Sequence, residues 1–281
     1  MKRVLDATII VPTLGRVGMS IELASRLAAL DPKPKKTIFV FQDQEELRLW
    51  KNGAQNSAAD GIFCSERGAS HARNLGAKHA KTTYLVFLDD DCFPQNADWL
   101  QRLVTSLGHN NVCLSTGPVV GWESASSFFR NSKRAFMLGT PLLIPWGNPE
   151  STYSGFCMTV AGGNFAVTRE YFSKMRGFSE SFGSPSIYEE TELSIRFAAG
   201  RQNQIWFESS APVCHKQSQT GGMRTTMARP SEHHLLQQRA LLYGAVSRSR
   251  AEARFRLLAF RIIRATYIHA RSGWAQLARR P

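Results

Sequence analysis

Three consecutive aspartates, Asp89, Asp90 and Asp91, follow the apolar run Tyr84-Leu85-Val86-Phe87-Leu88. Like charges a few ångströms apart raise one another's pKa unless a cation neutralises them. Carboxylate oxygens are hard ligands suited to Mg2+ or Mn2+, and such ions commonly bridge protein carboxylates to a substrate's phosphates. In extended geometry alternate side chains share a face, which sends Asp89 and Asp91 one way and Asp90 the other. Taken alone, a solvated acidic turn at a strand end explains the cluster equally well. A second group, Glu189-Glu190-Thr191-Glu192, opens an expected helix about 100 residues later. The helix macrodipole accounts for one or two carboxylates in a first turn. A carboxylate on a loop-to-helix corner that faces a cleft can also serve as general base toward a hydroxyl. His215, after a short apolar stretch, is either a metal ligand or a hydrogen-bonded surface histidine.

The elements that must position these groups alternate. Residues 7–12 form a β-branched run closed by Pro12, as expected of a buried parallel strand. A loop through Thr13-Leu14-Gly15-Arg16 leads into helical spacing over 19–30, stopped by Asp31-Pro32. Residues 37–41 make a second strand, 68–80 a helix, and 84–88 the strand that delivers the aspartates. This β-α alternation predicts an α/β sheet flanked by helices, whose ligands bind at the C-terminal edge of the strands. Further on, strands are expected at 112–114 and 118–120, and a helix over 124–138. Segment 139–160, containing Trp146 and Tyr153, reads as a long loop, of the kind that in compact domains often serves as a functional lid. Residues 164–167 are expected to form a strand, 189–199 a helix, and 204–207 a strand that leads to 211–215.

Charge divides the chain in two. Residues 216–281 carry thirteen Lys/Arg against Glu232 and Glu252, a net +11 of the chain's +13, so a nearly neutral body over 1–215 bears a basic extension over 216–281. No stretch reaches the roughly 18 to 20 apolar residues of a membrane span. Five cysteines without CxxC spacing exclude a disulfide framework or zinc site as the organising principle, which makes a reducing cytoplasm the default compartment.

The order of motifs carries a specific resemblance. Val11-Pro12-Thr13, Ala72-Arg73-Asn74-Leu75-Gly76 and Phe87-Leu88-Asp89-Asp90-Asp91 resemble the first half of glycosyltransferase family 2. Gly162-Gly163-Asn164-Phe165-Ala166, Gly177-Phe178 and Glu189-Glu190-Thr191-Glu192-Leu193-Ser194-Ile195-Arg196 resemble its second half. These are inverting enzymes of the GT-A fold, a Rossmann-like mixed sheet flanked by helices, and the similarity spans roughly residues 5–215. The resemblance implies a nucleotide-sugar donor, a UDP-sugar foremost, and a hydroxyl acceptor in a glycan, lipid-linked or other glycoconjugate. It sets Pro12, Thr13 and Arg16 beside base and ribose, and Arg73 and Asn74 against the nucleotide. Asp89 and Asp91 match the Asp-x-Asp motif that holds Mn2+ or Mg2+, with Asp90 nearest the ribose and sugar and His215 a further metal ligand. Gly162, Gly163 and Asn164 would approach donor or acceptor. Glu189 and Glu190 match the family's Glu-Asp pair, whose second member is the usual base. Two departures stand out: Phe41-Gln42-Asp43 replaces an acidic base-reading motif, leaving Asp43 as the base contact, and glutamate replaces aspartate at 190.

In the extension, residues 250–271 form a basic amphipathic pattern. Arg250, Arg254, Arg261, Arg264 and Arg271 fall in a sector of roughly 100° on a helix, opposite Phe255, Leu258, Ile262, Ile263, Tyr267 and Ala270. Such a helix either lies peripherally on the inner face of an anionic membrane or packs its apolar side on the body or a second subunit. A sugar nucleotidyltransferase would open with a glycine-rich loop containing arginine and lysine, which Val11–Gly18 lacks. A nucleic-acid-binding protein fits the basic pI but not the neutral body and acidic clusters, so no nucleic-acid partner is expected. A non-catalytic, lectin-like descendant of the fold would transfer and hydrolyse nothing.

Overall fold

The computed structural model describes residues 3–55, 58–121, 132–139, 142–198, 204–216, 221–222 and 231–277, with side chains as far as residue 264. An eight-stranded mixed sheet forms its centre. β1 (Val4–Thr13) pairs in parallel with both β2 (Lys33–Phe41) and β4 (Tyr84–Leu88), and β3 (Asp60–Phe63) extends the parallel edge. The connections are helices: α1 (Val17–Ala29), α2 (Gln44–Gly53) and α3 (Ala69–His79). On the other side of β4 the sheet changes direction. β11 (Asn164–Thr168) runs antiparallel to β4 and to β6 (Leu114–Thr116), and β12 (Ile205–Phe207) and β10 (Gly155–Cys157) complete that edge.

β1 and β4 are buried over Ala7–Thr13 and Leu85–Leu88, so their apolar runs lack alternation because helices cover both faces. Phe87 stacks on Phe165 at 4.8 Å between ring centroids, with Phe172 and Phe178 closing around them. Truncating such an aromatic costs about 3–5 kcal/mol, so the strand that leads into Asp89 is firmly anchored. A Cβ at Gly76 would meet Ile10 Cγ2 at 2.4 Å, which shows how closely α3 lies on β1.

Several expectations change here. Segment 139–160 is not one long loop: β8 (Met137–Gly139) pairs with β9 (Ile144–Trp146), and β10 joins the main sheet. Residues 124–131 of the expected 124–138 helix lie outside the described residues, and its end is strand rather than helix because Met137–Gly139 finds a partner. Within the extension, α7 (Glu232–Val246) packs on α6 (Glu189–Ala198), and α8 (Arg250–Leu277) packs on α7. Leu242, Tyr243 and Phe260 form a separate apolar cluster with Leu138, Phe182 and Tyr188. Among the described residues, no helix is long and apolar enough to cross a membrane.

Candidate active site

The C-terminal ends of β1 and β4, the first turns of α3 and α6, and the turn before β11 converge on a cleft of about 390 Å3. Its walls include Pro12, Thr13, Arg16, Arg73, Asp89–Asp91, Gly162, Gly163, Glu189, Glu190 and His215. Residues from opposite ends of the sequence therefore meet where an open α/β sheet binds ligands.

The chain leaves extended geometry at Leu88 and turns, with Cys92 N–H donating to Asp89 O. The expected alternation of the three aspartates is therefore replaced by a different division. Asp90 and Asp91 are both buried and share one cation: Arg16 Nη1 lies 2.6 Å from Asp90 Oδ1 and 2.8 Å from Asp91 Oδ2. Thr13 Oγ1 donates to Asp90 Oδ2 at 2.7 Å. Burial pushes the Asp90 carboxyl up to about 7 and Asp91 adds to the shift, while Arg16 and Thr13 oppose it. Asp89 is more open, 36 % exposed, and pairs with Arg73 Nη2 at 2.9 Å.

Arg73 is the second hub. Its guanidinium, 3 % exposed, also reaches Glu190 Oε1 at 2.8 Å and Glu189 Oε1 at 3.4 Å, and lies over the Phe178 ring. Burial works against its charge, but Glu190, Asp89 and Glu189 outweigh that and hold its pKa above the ordinary value. Glu190 is raised well above the usual carboxylate range by burial first and then by Glu189, against the pull of Arg73. Arg73 Nε and Glu189 Oε2 are buried without a hydrogen-bond partner among the described residues. Gly162 supplies the space Glu190 needs, since a Cβ there would lie 2.1 Å from Glu190 Oε1. Glu192, the third carboxylate of that helix turn, is instead paired with Arg196 at 2.6 Å.

A small second sheet brings His215 in. β13 (Val213–His215) pairs with β5 (Cys92–Pro94), setting His215 opposite Cys92 and its Nε2 3.3 Å from Asp91 Oδ2. Asp91, Cys92 and His215 offer ligand atoms that all lie within 4.8 Å of one another. Burial, and then the charges of Asp89, Asp91 and Asp90, raise the Cys92 thiol well above its ordinary pKa. Gly221 and Gly222 close over Arg16, Gly221 O accepting from Arg16 Nη2 and Gly222 N–H donating to Leu14 O at 2.6 Å.

Three expected site residues lie elsewhere. Asp43 caps α2, accepting from Glu45 N–H and Glu46 N–H, because a carboxylate before a helix satisfies its first amides. Its neighbour Gln42 lines the cleft and accepts from Gly68 N–H at 2.6 Å. Asn74 clamps the Gly177-Phe178 turn by bonding Phe178 N–H and Phe178 O. Asn164 is fully buried, accepts from Trp99 Nε1 and donates to Pro118 O and Ala211 O. The sequence reading also overlooked Ser186 and Gly222, which line the cleft. Gln42 was findable as the residue that follows β2, but nothing local marks Gly222. Tyr153 lines a larger cavity of about 780 Å3, whose described walls carry no carboxylate; the titratable cluster lies in the smaller cleft.

Comparison with known proteins agrees with this architecture. The chain is 34 % identical over 144 residues to polypeptide N-acetylgalactosaminyltransferase 11 of Xenopus tropicalis, covering 46 % of this chain but only 23 % of that protein. Among solved structures, the mannosyltransferase PcManGT from Pyrobaculum calidifontis in complex with GDP-Man and Mn2+ superposes with a TM-score of 0.59. That match has 17 % identity and covers 97 % of this chain and 80 % of the other. S. aureus TarS 1-349 in complex with UDP-GlcNAc gives 0.58 at 14 % identity, covering 91 % and 71 %. The fold is that of the GT-A glycosyltransferases. The sequence model of glycosyl transferase family 2 matches residues 8–175, more than half of the sequence, and the chain belongs to that family.

Proposed function

We propose that this chain is an inverting glycosyltransferase that moves a sugar from a nucleotide-diphosphate donor to an acceptor hydroxyl. The observation that carries the reading is the convergence of Asp89–Asp91, Arg16, Arg73, Glu189, Glu190 and His215 in one cleft at the strand ends. Acid, base and cationic groups collected there suit a reaction in which a diphosphate departs and a hydroxyl is activated.

The donor set fits a hard divalent cation, Mn2+ or Mg2+. Asp91 and His215 face each other across 3.3 Å, Asp89 is accessible, and a hard cation prefers these carboxylate oxygens to the neighbouring Cys92 sulfur. Asp89, Asp91 and His215 would hold the ion, which when bound neutralises charge on the leaving diphosphate. Glu190 takes the proton of the acceptor hydroxyl as that oxygen bonds to the anomeric carbon. The bond from anomeric carbon to phosphate oxygen breaks, and the diphosphate leaves with its electron pair. Attack from the opposite side inverts the configuration. Arg73 orients Glu190 and steadies Glu189 and Asp89; positioning and electrostatics supply most of the rate. Pro12, Thr13 and Asp90 form the wall toward the nucleoside. A UDP-sugar is the favoured donor, in keeping with the UDP-GlcNAc bound by TarS, and the acceptor is a glycan, lipid-linked or other glycoconjugate hydroxyl.

A thermal-shift panel of UDP-, GDP- and dTDP-sugars, with and without Mn2+, tests this. A donor at about a hundred times its Kd raises the Tm by on the order of 5–10 °C, and only in the presence of the metal. A flat response to every donor in Mn2+ overturns the reading.

A further inference from the structure

α8 presents two different apolar faces. Ala253, Leu257 and Phe260 bed on α7, and Phe260 is 8 % exposed. Phe255, Leu258, Ile262 and Ile263 are 65 %, 57 %, 58 % and 50 % exposed. At 100° per residue these four occupy a sector of roughly 140°, centred opposite the bedded face. Of the three alternatives the sequence leaves open for this stripe (membrane, body or second subunit), packing on the body does not hold: the body takes the other side of the helix. Exposed Arg250, Arg254 and Arg261 line one margin of the stripe.

The helix cannot roll to hide the stripe, because its seat is tied into the body. α7 contributes Gln238, whose side chain accepts from Ile187 N–H and donates to Phe182 O, and Arg239, which donates to Leu142 O and Leu143 O. Arg264 reaches across to Glu232 on α7 at 3.1 Å, and Arg256 is held by Glu252. The stripe and its arginine margin thus face outward on a fixed support, in a segment whose net charge is +11.

A second copy of this extension offers the arginine margin little charge complement, because Glu232 and Glu252, the only acids in its sequence, are already paired with Arg264 and Arg256. A bilayer bearing anionic headgroups offers both complements at once: an apolar boundary for the stripe and phosphate charge for the arginine margin. We propose that α8 is a membrane-surface helix that lies in the headgroup region of an anionic bilayer with Phe255, Leu258, Ile262 and Ile263 turned inward. The inference stands independently of the catalytic reading. It implies that the body is held against a lipid surface by α7 and α8.

The test is co-sedimentation of the full chain with vesicles of phosphatidylcholine alone and of phosphatidylcholine containing phosphatidylglycerol. Binding is expected only to the anionic vesicles and weakens as salt rises. Arg254→Gln with Arg261→Gln weakens it about fivefold per arginine removed. Leu258→Glu with Ile263→Glu abolishes it without lowering the Tm, because both side chains already face solvent. Equal binding to both vesicle types, or wild-type binding by the Leu258→Glu/Ile263→Glu protein, overturns the proposal. So does a wild-type dimer that ignores vesicles and dissociates in that variant, which would assign the stripe to a second copy.

Discussion

Arg73 Nη1 lies 2.8 Å from Glu190 Oε1, joining α3 to the first turn of α6 across 117 positions of sequence. This ion pair favours the ionised form of the proposed base, against the larger effect of burial. Burial and the charge of Glu189 raise the Glu190 pKa, and Arg73 lowers it. A general base works only when ionised, so kcat/KM should climb with pH along a limb above the ordinary glutamate range. Glu189→Gln removes a like charge, eases ionisation of Glu190 and moves the limb to lower pH. Arg73→Gln moves it to higher pH. Steady-state rates across pH check both directions, and a limb unmoved by Glu189→Gln contradicts the assignment.

Glu190→Gln should cut kcat by about 10^2 to 10^4-fold, the usual range for general acid–base catalysis, while nucleotide-sugar affinity is retained. The amide keeps the shape of the side chain but cannot accept the hydroxyl proton. Binding measured by calorimetry alongside turnover separates the two effects, and transfer at the wild-type rate would refute the base assignment.

Arg16 sits between Asp90 and Asp91, and the oxygen it holds on Asp91 also faces His215. A guanidinium and the proposed divalent ion would therefore compete for the same carboxylate. Breaking a buried ion pair on one side costs about 3–5 kcal/mol, so Arg16→Gln should lower the Tm of the metal-free protein. Mn2+ should then raise the Tm of the variant by more than it raises that of the wild type. A metal shift equal to or smaller than the wild-type shift would show that Arg16 and the ion do not share Asp91.

Much of the parallel half was legible because buried strands leave unbroken apolar runs. Residues 84–88 were bounded correctly, since the aspartates end the run. The antiparallel edge was less legible, because three-residue strands such as Met137–Gly139 and Gly155–Cys157 carry no periodicity and exist only through their partners. In the cleft, charged residues were found where a motif clustered them. Asp43, Asn74 and Asn164 are not among the cleft walls, and their short polar side chains bond the backbone as readily as a ligand. Only tertiary context shows that each has such a partner already.

Asn164 supplies the next prediction. Asn164→Ala leaves Trp99 Nε1 and the carbonyls of Pro118 and Ala211 short of a partner in the core. Each unsatisfied group costs about 1–3 kcal/mol, so the variant should unfold at clearly lower denaturant concentration while its donor KM stays near the wild-type value. A raised donor KM with unchanged stability would instead place Asn164 on the substrate.

Gly162 and Glu190 are fitted to each other, and this makes a paired test. A methyl group at 162 would lie 2.1 Å from Glu190 Oε1 and 2.7 Å from its Cδ. Gly162→Ala must therefore push the carboxylate away from Arg73 and out of line with the acceptor. Activity should fall by about 10^2-fold, since small displacements of a catalytic group carry costs of that order. The Tm should fall, but by less than in Arg16→Gln, because Arg73 keeps Asp89 and Glu189 and Glu190 has open cleft to move into. Glu190→Asp removes one methylene and with it the clash. The Gly162→Ala/Glu190→Asp double variant should thus be more active than Gly162→Ala alone, even though Glu190→Asp by itself loses activity through shorter reach. Rates for the two single variants and the double variant give the coupling directly. Simple additivity would show that the glycine serves the donor or the backbone rather than the carboxylate.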